Sequence, residues 1–431
     1  EEDVHHHEHR GEPEHEQDGA EDHASSLRRL DEQRSAEAAA AYRGETLTFG
    51  AEYLIPKPFD PRLVGVVSSA VARAAMETGV ATRPLADLEA YKRKLDSSVF
   101  RSALIMRPVF EAAATASRRI AFAEGEDERV LRAANAMLEE TTDVPILIGR
   151  PEVIAMRAER AGLPIRPERD FEIVNPENDP RYRDYWETYH QLMARRGVSP
   201  DIARAIMRTN TTAIAAVMVH RGEADSLICG TFGQYTWHLR YIREILARDG
   251  LCPVGALSMI ILEDGPLFIA DTQCHDDPTP QQVMDTVMGA ARHVRRFGLT
   301  PKIALCCHSQ FGNLDTYTGR KMREALALLD ARKPDFMYDG EMHVDAALDP
   351  ALRERIFPGS RLEGVANVLV FAGTDAASGV RNALKMRANG LEVGPILMGM
   401  GNRAHIVTPS ITARGLLNMS VLAGTPVAHY S

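Results

Sequence analysis

The sequence predicts an α/β fold with parallel-rich sheets covered by helices on both faces. Three observations carry this expectation. From about Ser117 onward, short and nearly continuous apolar runs recur between turns: RRIAFAEG, VPILIGR, SLICGT, VGALSMIIL, PLFIADT, KIALCCHS, ANVLVFAG and GPILMGMG. A strand buried on both faces needs no polar alternation, so such runs mark parallel strands. Helical stretches stand between them, the alternation that defines α/β architectures. Each run ends in small or polar residues, and in open parallel sheets ligands sit beyond the carboxyl ends of the strands.

Composition fits this class. The chain has 431 residues, and at roughly 100–200 residues per domain that allows two or three domains. Hydrophobic residues make up 45% and charged residues 26%, ordinary values for a globular protein with a real core. The net charge is −10, and the basic residues form no block. That argues against nucleic acid, because phosphate binding needs a clustered positive surface. No apolar run reaches the ~18 residues that span a bilayer, and residues 1–23 are acidic rather than basic then apolar, unlike a signal peptide. Neither a nucleic-acid nor a membrane partner is expected. The five cysteines are Cys229, Cys252, Cys274, Cys306 and Cys307. Their odd number and the absence of C-x-x-C argue against a disulfide framework or a zinc site. A reducing cytoplasm fits best.

Local signals mark the elements along the chain. It opens EEDVHHHEHR, without a methionine, and a fragment or a misjoined reading frame is expected. Residues 1–23 hold ten acidic residues, six histidines and one arginine. Such a tract is either metal-binding or a solvated tail with too little apolar surface to order; the tail is the expectation. Residues 25–43 are rich in Ala, Glu and Arg and suit a helix. The prolines of Tyr53–Leu63 fix an extended connector. Asp60 caps and Pro61 starts a helix that Gly79 closes, with Val64, Val67, Val71, Ala75 and Met76 on one face. A charged second helix is expected near 85–95. Strands at 118–125 and 144–150 are each followed by a helix, and one helix is expected over 200–220. The remaining runs are strands.

The strand-end loops are the candidate site. Gly230, Thr231 and Gly233 follow SLIC; His308, Ser309, Gln310, Gly312 and Asn313 follow IALCC; Gly373, Thr374 and Asp375 follow VLVF. Glycine lets a backbone approach an anion closely, and the next helix supplies unpaired N–H groups. Thr231 with Gly233, and Ser309 with Gly312, are thus candidate anion contacts. The same glycines also serve turns that hold nothing. No loop matches G-x-x-x-x-G-K-[ST] or G-x-G-x-x-G; Gly399-Met400-Gly401 resembles only the start of the latter.

These loops carry a resemblance. GEADSLICGT, KIALCCHSQFGN, YDGEMHVDAAL, GSRLEGVANVLVF and VGPILMGMG occur in the order seen in phosphate acetyltransferases, so the stretch from about Arg118 to Gly401 resembles that family. Leu47 to Leu95, with FGAEYLIPKPFDPRL, resembles the connector of multidomain NADP-dependent malic enzymes, which joins such a region to a nucleotide-binding domain. GTFGQYTWHLRYIRE is also closer to those proteins. The resemblance implies two lobes with a cleft between them. Residues 98–252 plus 405–431 would form lobe 1, and 253–404 lobe 2. Residues 46–97 would be the end of the malic enzyme nucleotide domain and its linker, after an unrelated or disordered tail at 1–45. It also implies a homo-oligomer.

The family places a Ser-Arg-Gly run after its G-P-I strand and an Asp some residues later. Laid on that pattern, Thr408, Pro409 and Ser410 stand at the run and Gly415 at the Asp. A proline cannot supply a guanidinium to neutralise phosphate, nor a glycine a carboxylate base. Thr408, and Arg414 after a slip in register, would carry any surviving transferase chemistry. By the same resemblance, Arg240, Thr231, Ser309, Gly312, Asn313 and Asp375 are the ligand-binding candidates. The expectation is a region that binds acetyl-CoA, or a CoA-type ligand, as an allosteric effector without turning it over. The alternatives are an active phosphate acetyltransferase and a purely structural oligomerisation module. The resemblance places the malate-oxidising residues, the NADP site and the Mg²⁺ or Mn²⁺ carboxylates upstream of the connector. Only 46 residues precede Leu47, and they carry none of that pattern; Tyr42 and Lys57 match no such role. No cofactor and no metal are therefore expected in this chain.

Overall fold

A computed structural model of the chain describes residues 61–115, 117–167, 169–247, 255–387 and 391–425. The expected tail, the 25–43 helix, the Tyr53–Leu63 connector and the Asp60 cap lie outside or at the edge of these residues. Two compact units divide the chain, Glu1–Ala103 and Leu104–Ser431. The first unit contains helix α1 (Pro61–Glu77). It closes where Gly79 takes φ 73° and donates its N–H to the carbonyl of Met76. Val67 and Val71 of its apolar face are exposed. Helix α2 (Leu88–Ala113) is far longer than the 85–95 expected and continues through Pro108 into the second unit.

The second unit begins with β1 (Arg119–Phe122), α3 (Glu128–Glu140), β2 (Val144–Ile148), α4 (Pro151–Arg160) and β3 (Glu172–Val174). Then come α5 (Tyr182–Met193), α6 (Pro200–Thr209), α7 (Thr211–Arg221), β4 (Ser226–Cys229) and α8 (Tyr235–Leu246). The next elements are β5 (Gly255–Leu262), β6 (Gly265–Ala270), α9 (Pro280–Arg296), β7 (Lys302–Cys306), α10 (Tyr317–Arg332) and β8 (Met337–Met342). The chain continues with α11 (Val344–Leu348), α12 (Pro350–Ile356), β9 (Val368–Phe371), α13 (Thr374–Arg387) and β10 (Leu391–Met398). β11 (Ala404–Ile406) and α14 (Ala413–Gly424) close the described chain.

The first sheet has the order β11-β4-β1-β2-β3. All its pairs are parallel; Ile120 faces both Pro145 and Ser226, and Leu227 faces Ala404. The chain leaves β1 on one side to build β2 and β3, then returns to lay β4 on the other. The switch point therefore falls between β1 and β4, where α/β sheets place their ligands. The second sheet has the order β10-β5-β6-β9-β7-β8. Its β6, β9, β7 and β8 are parallel, but β5 pairs antiparallel with both β6 and β10. The fold is thus mixed α/β with parallel-rich sheets. The departure from an all-parallel sheet comes from a tight hairpin: Glu263 and Asp264 alone separate Leu262 from its partner Gly265, too short for a crossover.

Short polar motifs start the helices. Asp127 caps α3 by accepting the N–H of Arg129, Ser199 with Pro200 opens α6, and Thr279 and Gln282 form a capping box on α9. The expected single helix over 200–220 is two helices. Asn210 ends α6 in an extended conformation, and its side-chain oxygen accepts the N–H of Ala213 at 2.8 Å to start α7. Apolar residues continue on both sides of the break, on one face in α6 and all round in α7, and hide it. Helix α7 is buried from Thr212 to Val219. Helix α14 is buried from Gly415 to Gly424 and packs on α3, β4 and β10. It thereby ties the two sheets together through apolar contact, at about 25 cal/mol per Å² removed from water.

Asn210 is 4% exposed, so replacing it by alanine removes a buried cap. The expected loss is about 1 kcal/mol, read as a lower urea midpoint with an unchanged denaturant slope.

Candidate functional site

The strand ends of the first sheet meet the loop after β11. Glu124 follows β1 and is 6% exposed. One of its oxygens accepts the N–H of Gly230 at 3.0 Å and of Thr231 at 3.4 Å, closing the β1/β4 switch point. Gly230 has φ 101°, and a Cβ there would lie 2.4 Å from the carbonyl oxygen of Val407. Only glycine admits this approach. Arg129, paired with Asp127 at 2.7 Å, donates to the carbonyls of Thr231 at 2.9 Å and Pro409 at 2.6 Å. Thr231 and the 408–410 loop are thereby neighbours.

The second sheet repeats the device. Glu341, at the end of β8, is 1% exposed. Its Oε1 accepts the Ser309 hydroxyl at 2.6 Å, the Gly312 N–H at 2.9 Å and a guanidinium N–H of Arg323 at 2.8 Å. Asn313 turns its amide oxygen to the N–H of Gln310. Asp271, after β6, accepts the N–H groups of Ala256, Gln273 and Cys274 and holds His275 at 2.8 Å. Ser309, Gly312 and Asn313 share a single loop, and the anion that Ser309 and Gly312 hold is the chain's own carboxylate. Asp375 is exposed in the first turn of α13.

The two sheets face each other at the loop after β11. Arg381 of α13 is 4% exposed and pairs with Glu392 at 2.6 Å. Lys385 joins the same carboxylate at 2.9 Å. Arg381 also reaches the Thr408 hydroxyl at 3.4 Å, and Lys385 the Ser410 hydroxyl at 2.9 Å. Thr408 and Ser410 are 3.2 Å apart. Two cations share one carboxylate here, so the cluster carries a net positive charge beside two hydroxyls. That is an anion-binding arrangement. It offers no free base: Glu392 has both oxygens engaged by cations, and Gly415 is a helix residue whose N–H is capped by Thr412.

Two expected residues stand elsewhere. Arg414 pairs with Glu140 of α3 at 2.9 Å and lies over Phe110. Arg240 is 69% exposed and pairs with Glu244 four residues on, at 2.8 Å. Arg381, Lys385 and Glu392 escape sequence reading because their meeting with Thr408 is non-local. The i, i+4 spacing of the two cations before a strand glutamate is the one visible hint. Among the described residues no group of three or more His, Cys, Asp or Glu side chains could hold a metal ion. No helix among them is long and apolar enough to cross a membrane.

Comparison with known proteins adds family to geometry. The family described as phosphate acetyl/butaryl transferase matches residues 104–424. The chain is 52% identical over 400 residues to an NAD-dependent malic enzyme of Rhizobium meliloti, covering 92% of this chain and 52% of that protein. It is 46% identical over 393 residues to an NADP-dependent malic enzyme of Salmonella typhimurium, covering 91% and 52%. It thus spans about half the length of the curated relatives it matches. A crystallised phosphotransacetylase from Streptococcus pyogenes superposes with a TM-score of 0.68 at 23% identity, over 74% of this chain and 97% of that one, and so shares the fold.

Burial pushes Glu124 up to about 7, against the opposing N–H groups of Gly230 and Thr231. Burial likewise lifts Glu140 to about 7 despite Arg414, and Asp143 to about 6. Folding raises the affinity of these acids for their protons. Their contribution to stability is complete below the unfolded value and is lost as pH rises through the folded one. Stability should therefore fall between about pH 4.5 and 7. Glu124→Gln should flatten that fall by up to about 3 kcal/mol in urea unfolding at stepped pH.

Proposed function

We propose, for a chain that belongs to the phosphate acetyl/butaryl transferase family, that this region binds acetyl-CoA between its two lobes without turning it over. Here the lobes are 98–252 plus 405–431 and 253–404. In this reading it is the C-terminal regulatory and oligomerising part of a cytoplasmic malic enzyme. The malate-oxidising half, with its nucleotide and its Mg²⁺ or Mn²⁺, would lie in the rest of such a protein. That nucleotide is NADP in this reading, as in the Salmonella relative's name; the Rhizobium meliloti relative is named for NAD.

One observation carries the reading. The cluster of Arg381, Lys385 and Glu392 turns a net positive charge on Thr408 and Ser410, while Pro409 and Gly415 stand, by resemblance to the family's pattern, where transferase chemistry needs a guanidinium and a carboxylate. The cluster can hold an anionic group by charge-assisted hydrogen bonds. Attack on acetyl-CoA by phosphate also requires charge stabilisation as the tetrahedral centre forms, and proton management at the leaving thiol. Glu392 is held by two cations and is poorly placed to supply the latter. An effector acts only if it binds two states of an assembly unequally. A ligand gripping both α13 and the loop after β11 would favour the state in which these stay close. Thr231, which Arg129 ties to the loop of Pro409, and Ser309, Gly312, Asn313 and Asp375 at the other strand ends are the further ligand contacts of this reading.

Calorimetric titration of acetyl-CoA into the purified chain should show saturable binding. A parallel assay of acetyl-CoA with phosphate should show no CoA release above background. Turnover would return the chain to the acetyltransferases, and absence of any binding would leave the oligomerisation module. Arg381→Met should weaken acetyl-CoA by about tenfold or more, as expected for loss of a charge-assisted contact. The same sample given malate and NADP should produce no NADPH.

A further inference from the structure

The first sheet has a second half that the Thr408 crevice does not use. Beyond β1, towards β3, an open cleft of about 560 Å³ lies over the strand ends. Glu124 and Gly149 are on its floor, and Arg157, Arg208 and Thr211 are on its walls.

Three features make this a built site. First, Glu124 spends one carboxylate oxygen on Gly230 and Thr231, while the other, Oε1, is buried with no hydrogen-bond partner among the described residues. A buried carboxyl oxygen left unmatched is unfavourable, and a donor from a ligand would relieve it. Second, the charge on the walls is uneven. Glu126 is matched by Arg150 at 2.8 Å, Asp127 by Arg129 and Glu128 by Arg132. By contrast, Arg157 and Arg208 donate to backbone carbonyls: Arg157 to Glu126 at 2.6 Å, Arg208 to Pro176 at 3.0 Å and to Glu177. Carbonyls orient a guanidinium without cancelling its charge. Third, Thr211 brings the N-terminal turn of α7 to the same wall, and its dipole adds to the positive side. Glu177 also lines the cleft and Arg157 acts on the Glu126 carboxylate, so the rim is mixed in charge, and its two guanidiniums rather than a net positive field are what an anion would meet.

We propose that this cleft binds a small hydroxylated anion, whose hydroxyl donates to Glu124 and whose carboxylate or phosphate lies against Arg157 and Arg208. The proposal is independent of the acetyl-CoA reading.

The test titrates the whole 431-residue chain by calorimetry with two matched pairs. L-malate is compared with succinate, which lacks the hydroxyl, and ribose 5-phosphate with inorganic phosphate. The hydroxylated member of one pair should bind about tenfold tighter than its partner, the worth of one hydrogen bond to a charged group. Preference for malate identifies a hydroxy-carboxylate site, and preference for ribose 5-phosphate a sugar-phosphate site. Arg208→Ala, at an exposed side chain, should weaken it about tenfold. Glu124→Gln should abolish the preference for the hydroxyl. The proposal is overturned if no hydroxylated probe binds, if both members of each pair bind equally, or if Arg208→Ala has no effect. The Arg208 result decides the matter even if the Glu124 variant fails to fold.

Discussion

The carboxylate of Glu124, held by the N–H groups of Gly230 and Thr231, fixes the point where the first sheet switches direction. A backbone N–H at a buried strand end must find an acceptor. At the ends of β1, β6 and β8 the chain supplies its own, in Glu124, Asp271 and Glu341. These internal anions shape the strand-end loops before any ligand arrives. They also occupy the N–H groups that a phosphate would otherwise take. An incoming anion must look to side-chain cations instead, and the positive surplus lies at Arg381 and Lys385 beside Thr408.

That location matters mechanically. α13 and β10 belong with the second sheet, whereas Thr408 and Ser410 follow β11 of the first. Arg129 fastens the 409–411 loop to the first sheet through the carbonyls of Pro409, Ile411 and Thr231. Arg381 and Lys385 reach the same loop from the other side. One loop is therefore gripped by both halves through polar contacts. Such contacts reorganise more readily than the close-packed helix α14 beneath them. A ligand that joins this grip can bias how the halves meet without performing chemistry.

Much of this is legible in the sequence. Apolar runs such as IAFAEG and IALCC can be little other than buried strands, and their polar ends point to the ligand side. The loops around Thr231 and Ser309 carry the signature of anion cradles, but nothing in the sequence names Glu124 and Glu341 as the anions they hold. Those partners are 107 and 32 residues away, and sequence spacing carries no such contact. The antiparallel β5–β6 hairpin is hidden because both of its strands are apolar and only Glu263 and Asp264 part them. The break at Asn210 is hidden because apolar residues stand on both sides of it, although α6 buries one face and α7 all of them. Arg240 and Arg414 illustrate the converse: their sequence positions suggest a site, but nearby Glu244 and Glu140 engage them.

If acetyl-CoA is held between α13 and the loop after β11, its binding must quiet both segments at once. Hydrogen–deuterium exchange of the purified chain, with and without saturating acetyl-CoA, tests this most directly. Exchange should slow in peptides covering 374–387 and 405–412, with little change in α1. Unchanged exchange in those two peptides at saturation would contradict the assignment, wherever else protection arose.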